Sequence, residues 1–381
     1  MKKTIQRRLS TLTLLCMLCT LAACGGAAGT PSSAPASAAP ASSAPSGPEE
    51  ASFGGVDLEM MCWAGGNQEV EPTRVAEDIN ARNAGVTVNV TSGQNATLYP
   101  QMVAAHQTDP DNPLFDICYM NAFSTAQGMT DGLWAAPNLA NIPNVKQIYE
   151  AYAPQEGELG ITWALSPMTI YYNPKYVDGV TSWSDLWDEK YAGHVAVWDN
   201  LFYSFLVPGS YVLGGDEDDM DAVFEMWADH ADQFYCFYTS VDQLKDLFIS
   251  EDVWIAPFFV GMGLSWGEEG VPVEMAELRD EGIVGFPYVI QLCDGMTQEE
   301  QRAAEYVVNE LIAPETVENY IAVSPVIPIM PGIDLPDYLE DNYFFTEDCV
   351  NNAMQFDWEK CAAYNAEWKT RWESEVKAQL N

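Results

Sequence analysis

Strand and helix patterns alternate from residue 58 onward. Residues 58–63 are a short apolar run, residues 70–83 have the spacing of an amphipathic helix, and the valines of 86–90 alternate as in a strand. A second predicted helix at 96–107 precedes a buried strand at 113–121 that ends in a polar residue. This order predicts a mostly parallel sheet with helices on both faces, in which ligands bind beyond the carboxyl ends of the strands.

The first 24 residues have the pattern of a bacterial lipoprotein signal peptide. Lysines and arginines precede an apolar run at 12–21, which is too short for a permanent membrane span, and the box Leu21-Ala22-Ala23-Cys24 closes it. We predict a signal peptide at 1–23 and lipid on Cys24, which would anchor the protein to a membrane. An ordinary cleaved signal with an incidental cysteine is the alternative.

A low-complexity segment follows the cysteine. Residues 25–48 are almost entirely Gly, Ala, Ser, Thr and Pro, with no aromatic or branched aliphatic residue, so they cannot bury enough apolar surface to fold. We predict a disordered stalk at 24–55. The remaining chain is long enough that a division into two lobes is expected.

The charge balance excludes one class of partner. The chain has 56 acidic and 16 basic side chains, for a net charge of −40. A nucleic-acid-binding protein needs a Lys/Arg footprint for the phosphate backbone, so no nucleic-acid partner is expected. The same charge would draw cations toward any cleft.

The cysteines of the folded part are too widely spaced for a disulfide scaffold. Cys62, Cys118 and Cys293 occur in apolar, strand-like runs and are predicted to be small buried residues. Cys349 and Cys361 are close enough in sequence to pair, and whether they form a disulfide is left open.

No catalytic motif is complete. Residues 263–267 match the G-x-S-x-G nucleophile elbow, but no histidine follows His230, so Ser265 lacks a base in the expected order. His106, His194 and His230 have no metal-ligand spacing. We therefore expect no enzyme activity, no cofactor and no metal site.

Two runs carry a family resemblance. Residues 160–173 end in Ile-Tyr-Tyr-Asn, and residues 181–197 contain Thr-Ser-Trp-Ser-Asp-Leu-Trp. Together they resemble ABC-transporter solute-binding proteins, especially the spermidine/putrescine and ferric-ion types. From the residues alone, Thr181 or Ser182 can cap a helix that places Trp183, Leu186 and Trp187 on one face, which predicts a packing element.

The resemblance implies an α/β, two-lobed, periplasmic-binding-protein-like (type II) fold with hinge crossover strands. It implies one lobe at 56–161 and 284–326 and a second at 162–283 and 327–381. It also implies a lipid-anchored monomer at the extracellular face of the cell membrane, or in the periplasm where an outer membrane exists. Such a receptor captures a small solute and delivers it to an ABC permease and its ATPase.

In the polyamine-binding members, aromatic rings sandwich the ligand and carboxylates take its ammonium groups. Trp63 matches the first-strand aromatic residue, Asp199 matches a carboxylate turn, and Phe259 stands where a stacking Trp is usual. This chain departs from the pattern at Asn121, where an aromatic residue is expected, and at Tyr203, where Glu is expected. The predicted ligand-binding residues are Trp63, Asn95, Asn121, Trp163, Asp199, Tyr203, Phe259 and Tyr288.

The predicted ligand is a polyamine-like or other amine-containing cation. The departures at Asn121 and Tyr203 weaken the polyamine assignment and leave a monocation, a zwitterion or a neutral solute stacked on aromatic rings open. The alternatives are a receptor for another solute (ferric ion, thiamine, an aminophosphonate or a sugar) and, more remotely, a surface hydrolase. A cell-surface adhesion module is disfavoured because no internal repeat occurs.

Overall fold

The computed structural model of the protein describes residues 52–199, 202–215, 219–354 and 356–380. The predicted signal peptide, Cys24 and residues 24–51 of the predicted stalk lie outside these ranges. Residues 50–381 belong to one compact unit. Within the described ranges, no helix is both long and apolar enough to cross a membrane.

The described ranges contain twelve strands, arranged in two sheets. In chain order they are β1 (Val56–Trp63), β2 (Val86–Gly93), β3 (Ile117–Asn121), β4 (Trp134–Ala135), β5 (Ile161–Leu165), β6 (Met168–Tyr172), β7 (Val195–Trp198), β8 (Phe234–Tyr238), β9 (Ile255–Phe259), β10 (Glu274–Met275), β11 (Pro287–Cys293) and β12 (Ile327–Pro328).

Helices surround both sheets. The α-helices of the described ranges are α1 (Val70–Arg82), α2 (Asn95–Thr108), α3 (Ala122–Asp131), α4 (Phe202–Val212), α5 (Met220–His230), α6 (Val241–Ile249), α7 (Val260–Glu268), α8 (Gln298–Leu311), α9 (Pro314–Val323), α10 (Glu347–Asn351) and α11 (Trp358–Arg371). A π-helical turn, Trp372–Val376, follows α11 directly. Short 3₁₀ helices are Leu139–Asn141, Pro143–Gln147, Glu150–Tyr152, Trp183–Trp187, Glu189–Tyr191, Ala231–Gln233, Tyr343–Phe345 and Lys377–Gln379.

The predicted β-α-β-α-β opening is confirmed from β1 to β3. In the first half of β2 the buried valines Val86 and Val88 alternate with exposed polar residues, and α1 ends where Asn83 adopts the left-handed conformation with φ 53°. The third strand begins four residues later than the apolar run predicted, because Pro113 and the residues after it form a turn. Proline lacks the N–H that a central strand needs.

The first sheet has the order β12-β5-β11-β3-β1-β2, with β4 also paired to β11. Strand β1 is parallel to β2 and to β3, as predicted. Strand β11 is antiparallel to β3, β4 and β5, so the prediction of a mostly parallel sheet is wrong for this half. The β-α-β-α-β pattern at the start of the folded chain predicts only the parallel half of this sheet. Strand β11 joins the sheet from much later in the sequence, after all strands of the second sheet.

The second sheet has the order β10-β6-β9-β7-β8 and is also mixed. Strand β7 is parallel to β8 and β9, while β6 is antiparallel to β9 and β10. Its core contains the buried rings of Tyr171, Tyr238 and Phe258. Two predicted ligand-binding residues lie at the ends of strands in this sheet: Asp199 follows β7, and Phe259 is the last residue of β9.

The segment 181–187 is a packing element, as predicted. Ser182 caps it through a capping box with Asp185, and Trp183 and Leu186 are fully buried. The helix is 3₁₀ rather than α and contains five residues. Trp183 also donates from Nε1 to the backbone carbonyl oxygen of Gly282 at 2.9 Å, which ties the segment to the chain just before the return to the first sheet.

The C-terminal helix α11 packs against α3, which follows a strand of the first sheet, and against α4, which follows a strand of the second. Cys361 on this helix and Cys349 in α10 are both buried free thiols, so the possible disulfide between them is not present. Cys62, Cys118 and Cys293 are buried in β-strands, as predicted.

Candidate functional site

A cleft of about 650 Å³ opens at the carboxyl end of the strands of the first sheet. Its walls are the first turns of α2 and α3, the end of β7, and the C-terminal helix α11 with the π-helical turn after it. The cleft is within the size range of small-molecule sites. The polar side chains that line it include Asn95, Asn121, Ser124, Gln127, Asp199, Asn365, Lys369 and Glu373.

Asn95 lies at the base of the cleft and is held by the first strand. Trp63, the last residue of β1, donates from Nε1 to Oδ1 of Asn95 at 2.7 Å. The Asn95 amide nitrogen lies 3.3 Å from the sulfur of Met120, and both Asn95 and Trp63 are buried. Because α2 begins at Asn95 and has no side-chain cap, its first backbone N–H groups have no partner within the helix.

Asn121 forms the adjacent part of the wall. It ends β3 and caps α3, since its Oδ1 accepts a hydrogen bond from the backbone N–H of Ser124 at 2.8 Å. The side-chain amide of Asn121 is therefore engaged by the helix. The N-termini of α2 and α3 both lie at the cleft, and the two helices place partial positive charge on the same side of it.

An aromatic cluster lies behind Asn95. The ring of Trp63 is 4.2 Å from that of Tyr288, and Trp163 is 6.4 Å from Tyr288 between their ring centroids. Tyr119 lies 5.7 Å from both tryptophans. Burial raises the pKa of the Tyr119 and Tyr288 hydroxyls, so both are neutral at physiological pH. The buried Nε1 of Trp163 has no hydrogen-bond partner among the described residues.

Asp199 follows β7 on the opposite wall, and the C-terminal segment occupies both of its carboxylate oxygens. Trp372 donates from Nε1 to Oδ1 at 3.1 Å, and the Lys377 ammonium contacts Oδ2 at 2.7 Å. Four-fifths of the Asp199 side chain is buried, against about two-thirds of the Lys377 side chain. The negative charge that the sequence assigned to a ligand is thus already paired within the chain.

Helix α11 contributes a polar stripe that the sequence reasoning missed. Asn365 and Lys369 are spaced i and i+4 on one face of α11, Glu373 follows in the π-helical turn, and all three line the cleft. Lys369 and Glu373 are exposed, and neither forms an ion pair with another described residue. The i, i+4 spacing of Asn365 and Lys369 can be read from the sequence, but the sequence alone does not show that this face borders a cleft.

The eight predicted site residues fall into separate groups. Asn95, Asn121 and Asp199 line the cleft, while Trp63, Trp163 and Tyr288 form the aromatic cluster behind it. Phe259 ends β9 but packs against Phe286 and Trp198, and it does not line the cleft. Tyr203 belongs to α4, and its side chain lies outside the described part of the structure.

The serine of the G-x-S-x-G run is not on an elbow. Ser265 lies within α7, five residues after the helix begins, and its hydroxyl contacts only the Gly261 carbonyl oxygen at 3.5 Å. His194 stacks on Trp254 with ring centroids 3.5 Å apart, and His230 contacts a backbone carbonyl of its own helix. Within the described ranges, no group of three His, Cys, Asp or Glu side chains could hold a metal ion.

One family model matches most of the chain. The model for the family described as bacterial extracellular solute-binding protein matches residues 74–346. No curated protein matches the chain in sequence.

Several solved structures share the fold. An ABC transporter from Clostridium perfringens ATCC 13124 is similar with a TM-score of 0.72 and 17% identity over 84% of this chain and 99% of that chain. PotD, a spermidine/putrescine substrate-binding protein from Streptococcus pneumoniae, has a TM-score of 0.66 and 14% identity over 84% and 99%. The GABA receptor Atu4243 has a TM-score of 0.68 and 15% identity over 84% and 97%. These similarities confirm the predicted periplasmic-binding-protein-like α/β fold.

Proposed function

Because this chain belongs to the bacterial extracellular solute-binding proteins, we propose that it is the receptor of an ABC importer and delivers a small organic solute to the permease. The solute binds in the cleft between the first turns of α2 and α3, the end of β7 and α11. The observation that carries this proposal is that Asn95, Asn121 and Asp199 converge on one cleft at the carboxyl ends of strands. Such an edge is the usual place for a ligand in an open α/β sheet.

We propose that the ligand contains one ammonium and one anionic group. Asp199 is neutralised by Lys377, so the cleft lacks the pair of free carboxylates that a diamine would need. Glu373 offers one unpaired carboxylate for an ammonium group. Lys369 and the N-terminal turns of α2 and α3 supply positive charge for a carboxylate or phosphate.

Among proteins of similar fold, PotD is described as a spermidine/putrescine-binding protein and Atu4243 as a GABA receptor. Both descriptions name amines, but GABA carries a carboxylate as well. The charges that line this cleft fit a ligand with both an amine and a carboxylate better than a ligand with amines alone. This supports an amine-containing zwitterion over a polyamine. A solute without an amine is the remaining alternative.

We further propose that lipid on Cys24 anchors the protein to the membrane and that two lobes close on the ligand about a hinge. The box that ends in Cys24 is the basis for lipid attachment and for a position at the outer face of the membrane. The two lobes close on the ligand about crossovers near residues 162, 284 and 327. Incorporation of labelled palmitate into the full chain, and its loss in Cys24→Ser, would test the anchor. Equal labelling of the two proteins would contradict it.

Ligand binding is tested by thermal unfolding of the full chain with putrescine, spermidine, GABA and fructose 6-phosphate. A ligand at about 100 times its dissociation constant adds roughly 2.7 kcal/mol to the free energy of unfolding, which raises the melting temperature by several degrees. We expect the shift with GABA or another compound that carries both charges. Lys369→Met and Glu373→Gln should each reduce it.

Lys175→Met is the matched control, because Lys175 pairs with Glu251 on the surface and does not line the cleft. It should leave ligand binding unchanged. A shift with putrescine that survives Lys369→Met would keep the receptor function but refute the zwitterion. No shift with either amine class, together with a shift from the sugar phosphate, would refute the amine itself.

A further inference from the structure

Two buried cysteines face one another inside the first sheet. The Sγ atoms of Cys118 in β3 and Cys293 in β11 lie 3.6 Å apart, and both side chains are essentially inaccessible to solvent. Both are free thiols in the structure. Because β3 and β11 are hydrogen-bonded neighbours, this distance is set by the central pairing of the sheet and not by a mobile loop.

The strand register explains why these two thiols meet. Cys118 is opposite Gln291 in the antiparallel pairing, so Cys293, two residues further along β11, lies on the same face of the sheet. On the other side of β3, Cys118 is opposite Met61, which places the neighbouring Cys62 on the other face. Cys293 is therefore the cysteine toward which the Cys118 side chain is directed.

We propose that Cys118 and Cys293 form a disulfide bond in the exported protein. The family is extracellular, and disulfides form and persist in oxidising compartments outside the cytosol. A disulfide needs a sulfur–sulfur distance of about 2 Å, so the two sulfur atoms must move closer than the 3.6 Å of the observed contact. The proposal is independent of which solute the cleft binds.

The oxidant is a small-molecule or protein disulfide. One cysteine thiolate attacks a sulfur of that disulfide, forms a mixed disulfide and releases one thiolate. The second cysteine, as its thiolate, then attacks the mixed disulfide at the first cysteine sulfur, which forms the Sγ–Sγ bond and releases the second thiolate. Two electrons pass to the oxidant, and the two cysteine protons leave to solvent or to the released thiolates.

Burial decides when this exchange can occur. Removal from water, with a smaller contribution from Cys293, raises the pKa of the Cys118 thiol well above its usual range. The folded protein therefore holds almost no thiolate at this position, and no oxidant can reach it. The bond therefore forms during folding, before the sheet around β3 and β11 is fully buried. Afterwards it resists reductants that do not unfold the chain.

The bond would enclose most of the fold in one covalent loop. The two cysteines are 175 residues apart in sequence. All of the second sheet, from Met168 in β6 to Met275 in β10, lies between them. Loop closure restricts the unfolded chain most when the loop is long, so the bond stabilises the folded state.

The test is peptide mapping of the full chain, refolded from the reduced, denatured state with oxidised and reduced glutathione. The refolded protein is then denatured without reductant in the presence of iodoacetamide, so that every free thiol is blocked before digestion. We expect a linked peptide pair containing Cys118 and Cys293, lighter by two hydrogen atoms than the sum of the reduced peptides. Natively folded protein in which both cysteines carry the alkyl label would overturn the proposal.

A second measurement does not depend on mapping. The melting temperature of the oxidised wild type should exceed that of protein refolded with reductant by about 5 °C or more. Cys293→Ala should abolish this dependence on reductant, even if it lowers stability on its own. Cys236→Ala, at a half-buried cysteine of β8, should retain it. Equal melting temperatures for oxidised and reduced wild type would also refute the bond.

Discussion

Asp116, the residue before β3, is expected to make the protein less stable as pH rises. Its carboxylate accepts a hydrogen bond from the backbone N–H of Glu59 at 2.7 Å, but burial and the nearby charges of Glu300 and Glu59 raise its pKa from 3.8 to about 6. The folded state therefore binds a proton more tightly than the unfolded chain. The contribution of the protonated Asp116 carboxyl to the free energy of unfolding is fully present below about pH 4 and is lost as pH rises through about 6.

Asp116→Asn should remove this loss, because the amide oxygen can still accept the Glu59 hydrogen bond. A shift of about two pKa units corresponds to roughly 3 kcal/mol, and partial exposure of the carboxyl reduces this to about 1–2 kcal/mol. The gain should appear at pH 7.5 and nearly vanish at pH 4. Urea unfolding of both proteins at several pH values between these limits measures it.

Asp116→Ala is the matched control for the hydrogen bond. It also removes the charge, but it leaves the Glu59 N–H without its acceptor, at a cost of about 1 kcal/mol. Its stability should follow the pH dependence of Asp116→Asn at a constant offset below it. If the wild type and Asp116→Asn keep a constant difference from pH 4 to pH 7.5, the desolvated carboxylate is not the cause and the reasoning fails.

Three further local features are tested by urea unfolding, with one control substitution. Lys377→Met leaves Asp199 without its cation and should lower the free energy of unfolding by about 1–2 kcal/mol, so unchanged stability would refute the internal pairing. Thr297→Ala breaks the capping box of α8 and should cost about 1 kcal/mol, whereas no cost would show that the cap is dispensable. An added Cβ at Gly128 would lie 2.2 Å from the indole of Trp134, so Gly128→Ala should lower the free energy of unfolding by about 1–3 kcal/mol. Gly267→Ala, in open space on α7, should be neutral or stabilising, and equal effects at the two glycines would contradict the steric argument.

The sequence predicts local structure well where one element determines its own pattern. The alternating valines of β2 and the capping Ser182 each depend on neighbours within a few residues, and both are found as predicted. The antiparallel course of β11 depends on where the chain returns after the second sheet, which periodicity does not encode. The parallel half of the first sheet was therefore predicted, and the antiparallel half was not.

The same distinction applies to the cleft. Asn121 was predicted because it stands at a strand end, a position that the sequence reveals directly. The partner of Asp199 could not be predicted, since Lys377 is 178 residues away and reaches the carboxylate only through the π-helical turn at Trp372–Val376. A turn of this kind has no reliable sequence signature, yet it determines which charges of the cleft remain free.

The C-terminal segment links the chemistry of the cleft to its geometry. Helix α11 packs against α3 and presents Lys369 to the cleft, while Trp372 packs against Trp227 and Phe237 of the second sheet's layer and donates to Asp199. One continuous segment therefore contacts structure belonging to both sheets and supplies both a free ammonium and the counter-ion of the opposite wall. A solute that binds Lys369 also contacts the element that joins the two halves. If the proposed site is right, the charge pattern of the solute must be compatible with the position of α11, and substitutions in the C-terminal helix should change selectivity as much as substitutions at the strand ends.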